Sequence, residues 1–169
     1  MSLNYNELKS KINIDFKKPN SSAFEAANKL ATAFEMYIMK AQDVGGGMAI
    51  SISGISALRS QLKRTFQSQK SSKQLIAEEI ASAFKNCLMT LQTTYIIRPV
   101  ITDASYSVFS SNLKRMFNKD APSSDTFAIN FSKHIHTFVT SSQIQGMIPG
   151  SPPYYFTGPI SWQLLHKKL

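Results

Sequence analysis

Apolar positions recur along this chain at steps of three and four residues. One series runs Phe24, Ala27, Ala31, Phe34, Ile38 and Ala41. A second runs Ala77, Ile80, Ala81, Phe84, Leu88 and Leu91, and a third Phe127, Phe131, Ile135 and Phe138. Such spacing places one apolar stripe on one face of a helix. Each predicted helix opens at a serine pair: Ser21-Ser22, Ser71-Ser72 and Ser123-Ser124. A serine hydroxyl at an N-cap accepts one of the helix's free backbone N–H groups. Two further helices are predicted over 56–68 and 103–118, with Ser56 and Asp103 as caps. Their stripes are Leu58, Leu62, Phe66 and Phe109, Leu113, Phe117, each at i, i+4, i+8.

The order of these blocks recurs. Ala27–Phe34 aligns with Ala77–Phe84 at a separation of 50 residues, with Ala27, Ala31, Ala33 and Phe34 each meeting an identical residue. Leu58–Phe66 aligns with Phe109–Phe117 at a separation of 51, sharing Leu-Lys-Arg-x-Phe. Ala128, Phe131, Ser132, Ile135 and Val139 fall 51 after Ala77, Ile80, Ala81, Phe84 and Leu88; Ile160 and Leu164 fall 51 after Phe109 and Leu113. The expected fold is therefore all-α: three tandem helix–loop–helix repeats of about 50 residues packed as a small helical bundle, with short β-prone or extended loops. The repeats would cover 20–70, 71–122 and 123–169 of one domain, after a polar basic arm at 1–19 that is either a short helix or a flexible lead. Neither helix of a unit buries its stripe alone, so the units must stack.

The loops differ between units. Residues 43–54 hold three consecutive glycines and then Ile50 and Ile52 alternating with serine, as in a short strand; 93–102 is β-prone and contains Pro99. Residues 144–162 carry four of the seven prolines and the only tryptophan. This stretch cannot be helical through Pro152-Pro153. It is also too apolar to stand free in water. Tyr and Trp are favoured interface anchors, so Pro152, Pro153, Tyr154, Tyr155, Phe156 and Trp162 are the candidate partner-binding residues.

Composition narrows the chemistry. In 169 residues there are 19 Lys+Arg and 10 Asp+Glu, a formal net charge of +9. Hydrophobic residues make up 43%, enough for a packed core and too many for a disordered chain. The single cysteine, Cys87, excludes an intramolecular disulfide and any multi-cysteine zinc site, and packs as a small hydrophobe. His134 and His136 stand two apart on a predicted helix and point to different sides, so they do not share a metal ion. No nucleophile elbow or phosphate-binding loop is present, since Gly45-Gly46-Gly47 leads into Met48 and Ala49. Glu78-Glu79, the only adjacent acids, do not face each other on a helix. No catalytic, cofactor-binding or metal-binding residues are expected, and no cofactor. The expected protein is not an enzyme.

The basic pairs Lys63-Arg64 and Lys114-Arg115 occupy matching places near helix C-termini, where cations complement the helix dipole. They are also the candidate contacts to phosphate or to an acidic partner. The N-terminus lacks a secretory apolar run, and no stretch approaches the length of a bilayer span, so a chain that is neither secreted nor membrane-bound is expected.

An Ala/Phe-rich helix, a Gly/Pro-rich apolar loop and a short basic helix follow one another here. They are exemplified by Ala27–Phe34, by Ala77–Phe84 and by the tail Ile148-Pro149-Gly150-Ser151-Pro152-Pro153 to Gly158-Pro159-Ile160-Ser161. In this plan the chain resembles the small virion structural proteins of tailed bacteriophages. The resemblance implies a non-enzymatic particle component of the neck, tail or baseplate, made in the host cytoplasm. Its partners would be other structural proteins and copies of itself. The alternative is a basic helical nucleic-acid-binding protein using Lys63, Arg64, Lys114 and Arg115.

Overall fold

A computed structural model describes residues 3–17, 20–41, 47–68, 72–94, 96–119, 123–148 and 153–159, with the backbone alone at 96–100, 144–146, 148 and 154–159. It is mostly helical. The helices are α1 (Tyr5–Phe16), α2 (Ala23–Ile38), α3 (Ile55–Gln67), α4 (Lys73–Leu88), α5 (Asp103–Asn118) and α6 (Ser124–Ser141). The strands are β1 (Ala49–Ile52), β2 (Leu91–Thr93), β3 (Ile96–Val100), β4 (Gln143–Ile148) and β5 (Tyr154–Pro159).

The long helices begin where the serines predict. Ser22, Ser72 and Ser123 are the N-caps of α2, α4 and α6, and their hydroxyls accept from the N–H of Glu25, Leu75 and Thr126. At α2 the cap is reciprocal, because Glu25 Oε2 accepts from the Ser21 N–H at 2.7 Å. The second helices, α3 and α5, are capped upstream of the expected residues, α5 by one residue and α3 by two. Thr102 caps α5 and its hydroxyl accepts from the Ser105 N–H, while Gly54 precedes α3 without a side-chain cap. Glycine is required at 54 by close approach rather than by its dihedrals. A Cβ there would lie 2.7 Å from Thr90 Oγ1, the same oxygen that accepts from the Gly54 N–H at 2.8 Å.

Each helix packs against the next in chain order, and α1 also packs against α6, so the six form a closed ring. α1, which lies within the segment expected as an arm, thus supplies one wall of the ring. Leu8 and Ile12 of α1 are fully buried, and Asp15 is buried with Lys11 Nζ 3.1 Å from its carboxylate. The apolar stripes of α2, α4 and α6 line the interior, where Phe34, Phe84, Phe131 and Phe138 are almost fully buried. Phe24 departs from its stripe and is 58% exposed. It sits in the first turn of α2, outside the ring, with Lys63 Nζ 5.6 Å from its ring centroid.

Burial recurs at the separations that the sequence showed. Ala31, Ala81 and Ser132 are all completely buried. Ser132 alone carries a hydroxyl there, and its Oγ has no hydrogen-bond partner. An unpartnered buried hydroxyl costs about 1–3 kcal/mol of desolvation, and alanine is also the better helix former. Ser132→Ala is therefore expected to stabilise the protein by about 1 kcal/mol, seen as a raised thermal midpoint. A lowered midpoint would mean that the hydroxyl has a bound partner.

Candidate interaction surface

The three segments between long and short helices were expected to be separate loops. Instead they pair with one another. β1 pairs antiparallel with β2, and β3, β4 and β5 form a second antiparallel sheet in that order. The reason is the demand of backbone N–H and C=O groups for partners. These β-prone runs meet that demand by laddering across units. Both inter-unit pairs, β1–β2 and β3–β4, carry a register shift, between Ala49/Ser51 and between Ile96/Arg98.

The candidate partner-binding residues Tyr154, Tyr155 and Phe156 lie on β5. β5 pairs with β4 along its whole length, from Ile148↔Tyr154 to Gln143↔Pro159. Among the described residues nothing pairs with its other edge. An edge strand presents a row of N–H and C=O groups to any added strand. Pro153, just before β5, is exposed. Pro152 and Trp162 lie outside the described residues.

The four candidate cations do not form a single stripe of solvated charges. Lys63 stands over Phe24, and Lys114 Nζ is 3.2 Å from Glu78 Oε2. Arg115 is exposed and donates to Asn112 Oδ1 at 2.5 Å. Arg64 is exposed and borders a groove between α3 and α4 that also holds Gln61, Thr65 and Glu79. Glu78 and Glu79 are drawn to separate partners, Glu79 accepting from Thr65 Oγ1 at 3.1 Å. Other carboxylates pair likewise: Glu25 with Lys29 at 2.6 Å, Glu35 with Arg59 at 3.2 Å, and Glu7 with Lys40. The Lys29 hydrogen bond, with further ones from Ser21, pulls the Glu25 carboxyl down to about 2.

A partly open apolar pocket of about 180 Å³ went unnoticed in the sequence. Phe16, Phe66 and Phe117, at the C-terminal ends of α1, α3 and α5, meet Leu30, Ile80 and Phe131 of α2, α4 and α6 there. Within each triplet the members are 50 and 51 residues apart. The cavity was findable from the aligned phenylalanines once α1 was counted among the short helices.

Cys87 is buried, and burial, with the nearby Glu35 carboxylate, pushes its thiol up to about 12. His134 and His136 do not share a site. His136 Nδ1 is 2.6 Å from the Tyr37 hydroxyl, and His134 lies near Arg115 and Lys133. Among the described residues no cluster of three metal-ligating side chains occurs. Burial holds the imidazole of His136 below its usual range; burial, then Arg115 and Lys133, does the same for His134. The unfolded chain therefore takes up protons first as pH falls below about 6.5. The stability that these groups contribute is complete above that pH and is lost as pH falls through their folded values. The thermal midpoint should drop between about pH 7.5 and 5.5, and His134→Gln/His136→Gln should flatten that slope. An unchanged slope would assign the acid sensitivity to other groups.

Comparisons of the chain with protein-family models, with curated proteins and with solved structures found no match. No helix among the described residues is long and apolar enough to cross a membrane.

Proposed function

We propose that this chain is a non-enzymatic structural or adaptor subunit of a larger assembly, a bacteriophage virion component of the neck, tail or baseplate. The observation that carries this reading is the open edge of β5. Tyr154–Pro159, from the Pro/aromatic segment, runs along a strand edge that has no partner among the described residues, where an added strand would gain main-chain hydrogen bonds. The resemblance to tailed-phage structural proteins supplies the setting, with other structural proteins and copies of this chain as partners. Three helix–loop–helix repeats of about 50 residues are the proposed internal plan. The serine caps and the matched core residues Leu30, Ile80 and Phe131, one in each unit, support it.

The nucleic-acid reading has less support, because Lys63 and Lys114 are each engaged within the fold. The two readings differ in salt response. Phosphate binding weakens steeply with salt, whereas strand addition and apolar docking hold. The test is gel filtration with light scattering and ultraviolet absorbance of the purified protein at low salt and at about 1 M salt. A nucleic-acid-free species whose mass is the same at both salts is expected. A nucleic-acid-laden peak that salt strips to protein alone would replace the assembly reading with the alternative.

A further inference from the structure

We propose that two copies of this chain dock end to end, the Phe24 ring of each entering the apolar pocket of the other. The pocket lies at the end of the ring where the long helices begin. Phe16, Phe66 and Phe117 reach it from the last turns of α1, α3 and α5, and Ala26 and Phe127 from the opening turns of α2 and α6.

The long helices start in register, behind the caps Ser22, Ser72 and Ser123, so their positions compare one to one. Ala26, Ile76 and Phe127 form one matched set, and Phe24, Gln74 and Asp125 another, each at separations of 50 and 51. In the first set Phe127 fills its corner. Its ring centroid lies 6.0 Å from Phe16 and 6.4 Å from Phe117, on the two short helices that flank α6. Ile76 packs against the core as well. Ala26 holds the corresponding place on α2, which α1 and α3 flank, and it brings only a methyl group to Phe16 and Phe66. The pocket is the space that this leaves. In the second set the polar residues of α4 and α6 are replaced on α2 by Phe24, which is 58% exposed. Only α2 therefore has its small residue inside and its large apolar residue outside, two positions apart.

Size and chemistry match. The pocket holds about 180 Å³ and its lining side chains are all apolar. An apolar cavity of about 150 Å³ stays dry and accepts benzene, so one phenylalanine ring fits. The way in is open, because a hollow of about 380 Å³ bordered by Phe16, Ser123, Ser124 and Phe127 adjoins it. A protruding ring and a pocket on one end of a chain meet their counterparts reciprocally under a two-fold axis, which closes the pair. Leu75, in the first turn of α4 and 52% exposed, adds apolar surface to the same end. Two rings and a narrow rim make a small contact, so the pair is weak and forms only in concentrated solution. The strands follow the far ends of the long helices, so this surface is separate from the β5 edge, and either can fail without the other.

Sedimentation equilibrium of the full-length chain at concentrations up to about 1 mM tests this, with melts in dilute solution as the check on folding. The wild type should pass from monomer to dimer. Phe24→Ala lacks the ring and Ala26→Phe lacks the pocket, so each should stay monomeric with a cooperative melt. Ala26→Phe should melt higher than the wild type because its pocket is filled; Ala26→Ile, the residue of α4, replaces it if phenylalanine is too large to fold. An equimolar mixture of Phe24→Ala and Ala26→Phe should regain a dimer through the one intact contact. Toluene should dissociate the wild-type dimer and raise the midpoint of Phe24→Ala. The proposal is overturned if the wild type stays monomeric, if Phe24→Ala dimerises as the wild type does, or if the mixture stays monomeric. A dimer indifferent to toluene, or a mass that grows past the dimer, would overturn it too. Toluene binding to a wild type that never dimerises would assign the pocket to a free aromatic ligand instead.

Discussion

Ala81→Glu, and Ala31→Glu at the matching position of α2, should each leave the protein without a cooperative fold at neutral pH. Both alanines are completely buried inside the ring. A carboxylate brought there has no cation or donor arranged to receive it, and an unpaired buried charge is too costly to keep. The side chain would bind a proton instead, at the expense of a raised pKa. Even then it adds four heavy atoms, a methylene and a carboxyl, to a packed interior, and overpacking alone costs about 1–3 kcal/mol. Together these rival the roughly 5–15 kcal/mol by which a domain of ordinary stability stays folded. The pH dependence gives an internal check. A carboxyl whose folded pKa is raised is least harmful below its unfolded value of about 4.3 and most harmful once pH exceeds the folded value. The deficit of either variant relative to the wild type should therefore shrink on acidification. Ala81→Gln, which cannot ionise, should show no such recovery. Melting by circular dichroism across pH reads all of this. A wild-type midpoint in either glutamate variant at neutral pH would mean that its helix face is open to water.

Much of this architecture was legible in the sequence, because helices write themselves in local periods. The stripes and serine caps located α2, α4 and α6, since a cap and a 3.6-residue period involve only neighbours along the chain. For residues 1–19 the local pattern left a short helix and a flexible lead both open, and it did not place α1 in the ring. Lys9, Lys11, Asp15 and Lys17 gave residues 1–19 the look of a solvated arm, although Leu8, Ile12 and Phe16 keep the steps of Leu58, Leu62 and Phe66. Buried Asp15 is held on that face by Lys11, which pairs with it one turn away. Strand pairing was less accessible still. That Ile52 sits opposite Leu91, and Val100 opposite Gln143, depends on how whole units stack, and no local pattern encodes it. For the same reason the sequence could nominate Tyr154, Tyr155 and Phe156 as a contact segment without placing them on an edge strand.

Phe84→Ala should be the most damaging truncation in the molecule, at about 3–5 kcal/mol. Phe84 is fully buried and is ringed by three other phenylalanines. Its centroid lies 4.9 Å from Phe34 and 6.3 Å from Phe109, both at 88°, and 6.0 Å from Phe131 at 71°. Edge-on aromatic pairs contribute about 0.5–1.5 kcal/mol each beyond their buried area, and truncation removes all three at once. It also joins α2, α4, α5 and α6, so no single helix can shift to fill the space without disturbing another pair. Phe109 in turn stacks on Phe138 at 4.4 Å, which fixes it from behind. The cavity left by Phe84→Ala should therefore stay largely open, the condition under which large-to-small substitutions cost most. Phe24→Ala is the matched control. It deletes the same side chain from the same predicted stripe pattern, but Phe24 is 58% exposed, and its loss should stay within about 0.5 kcal/mol. Denaturant titration of the two variants beside the wild type measures the difference as a shift in midpoint at constant slope. Comparable losses at 24 and 84 would mean that the aromatic cluster is not the centre of the core. A loss confined to Phe84→Ala would locate the fold's main store of packing energy where α2, α4, α5 and α6 meet.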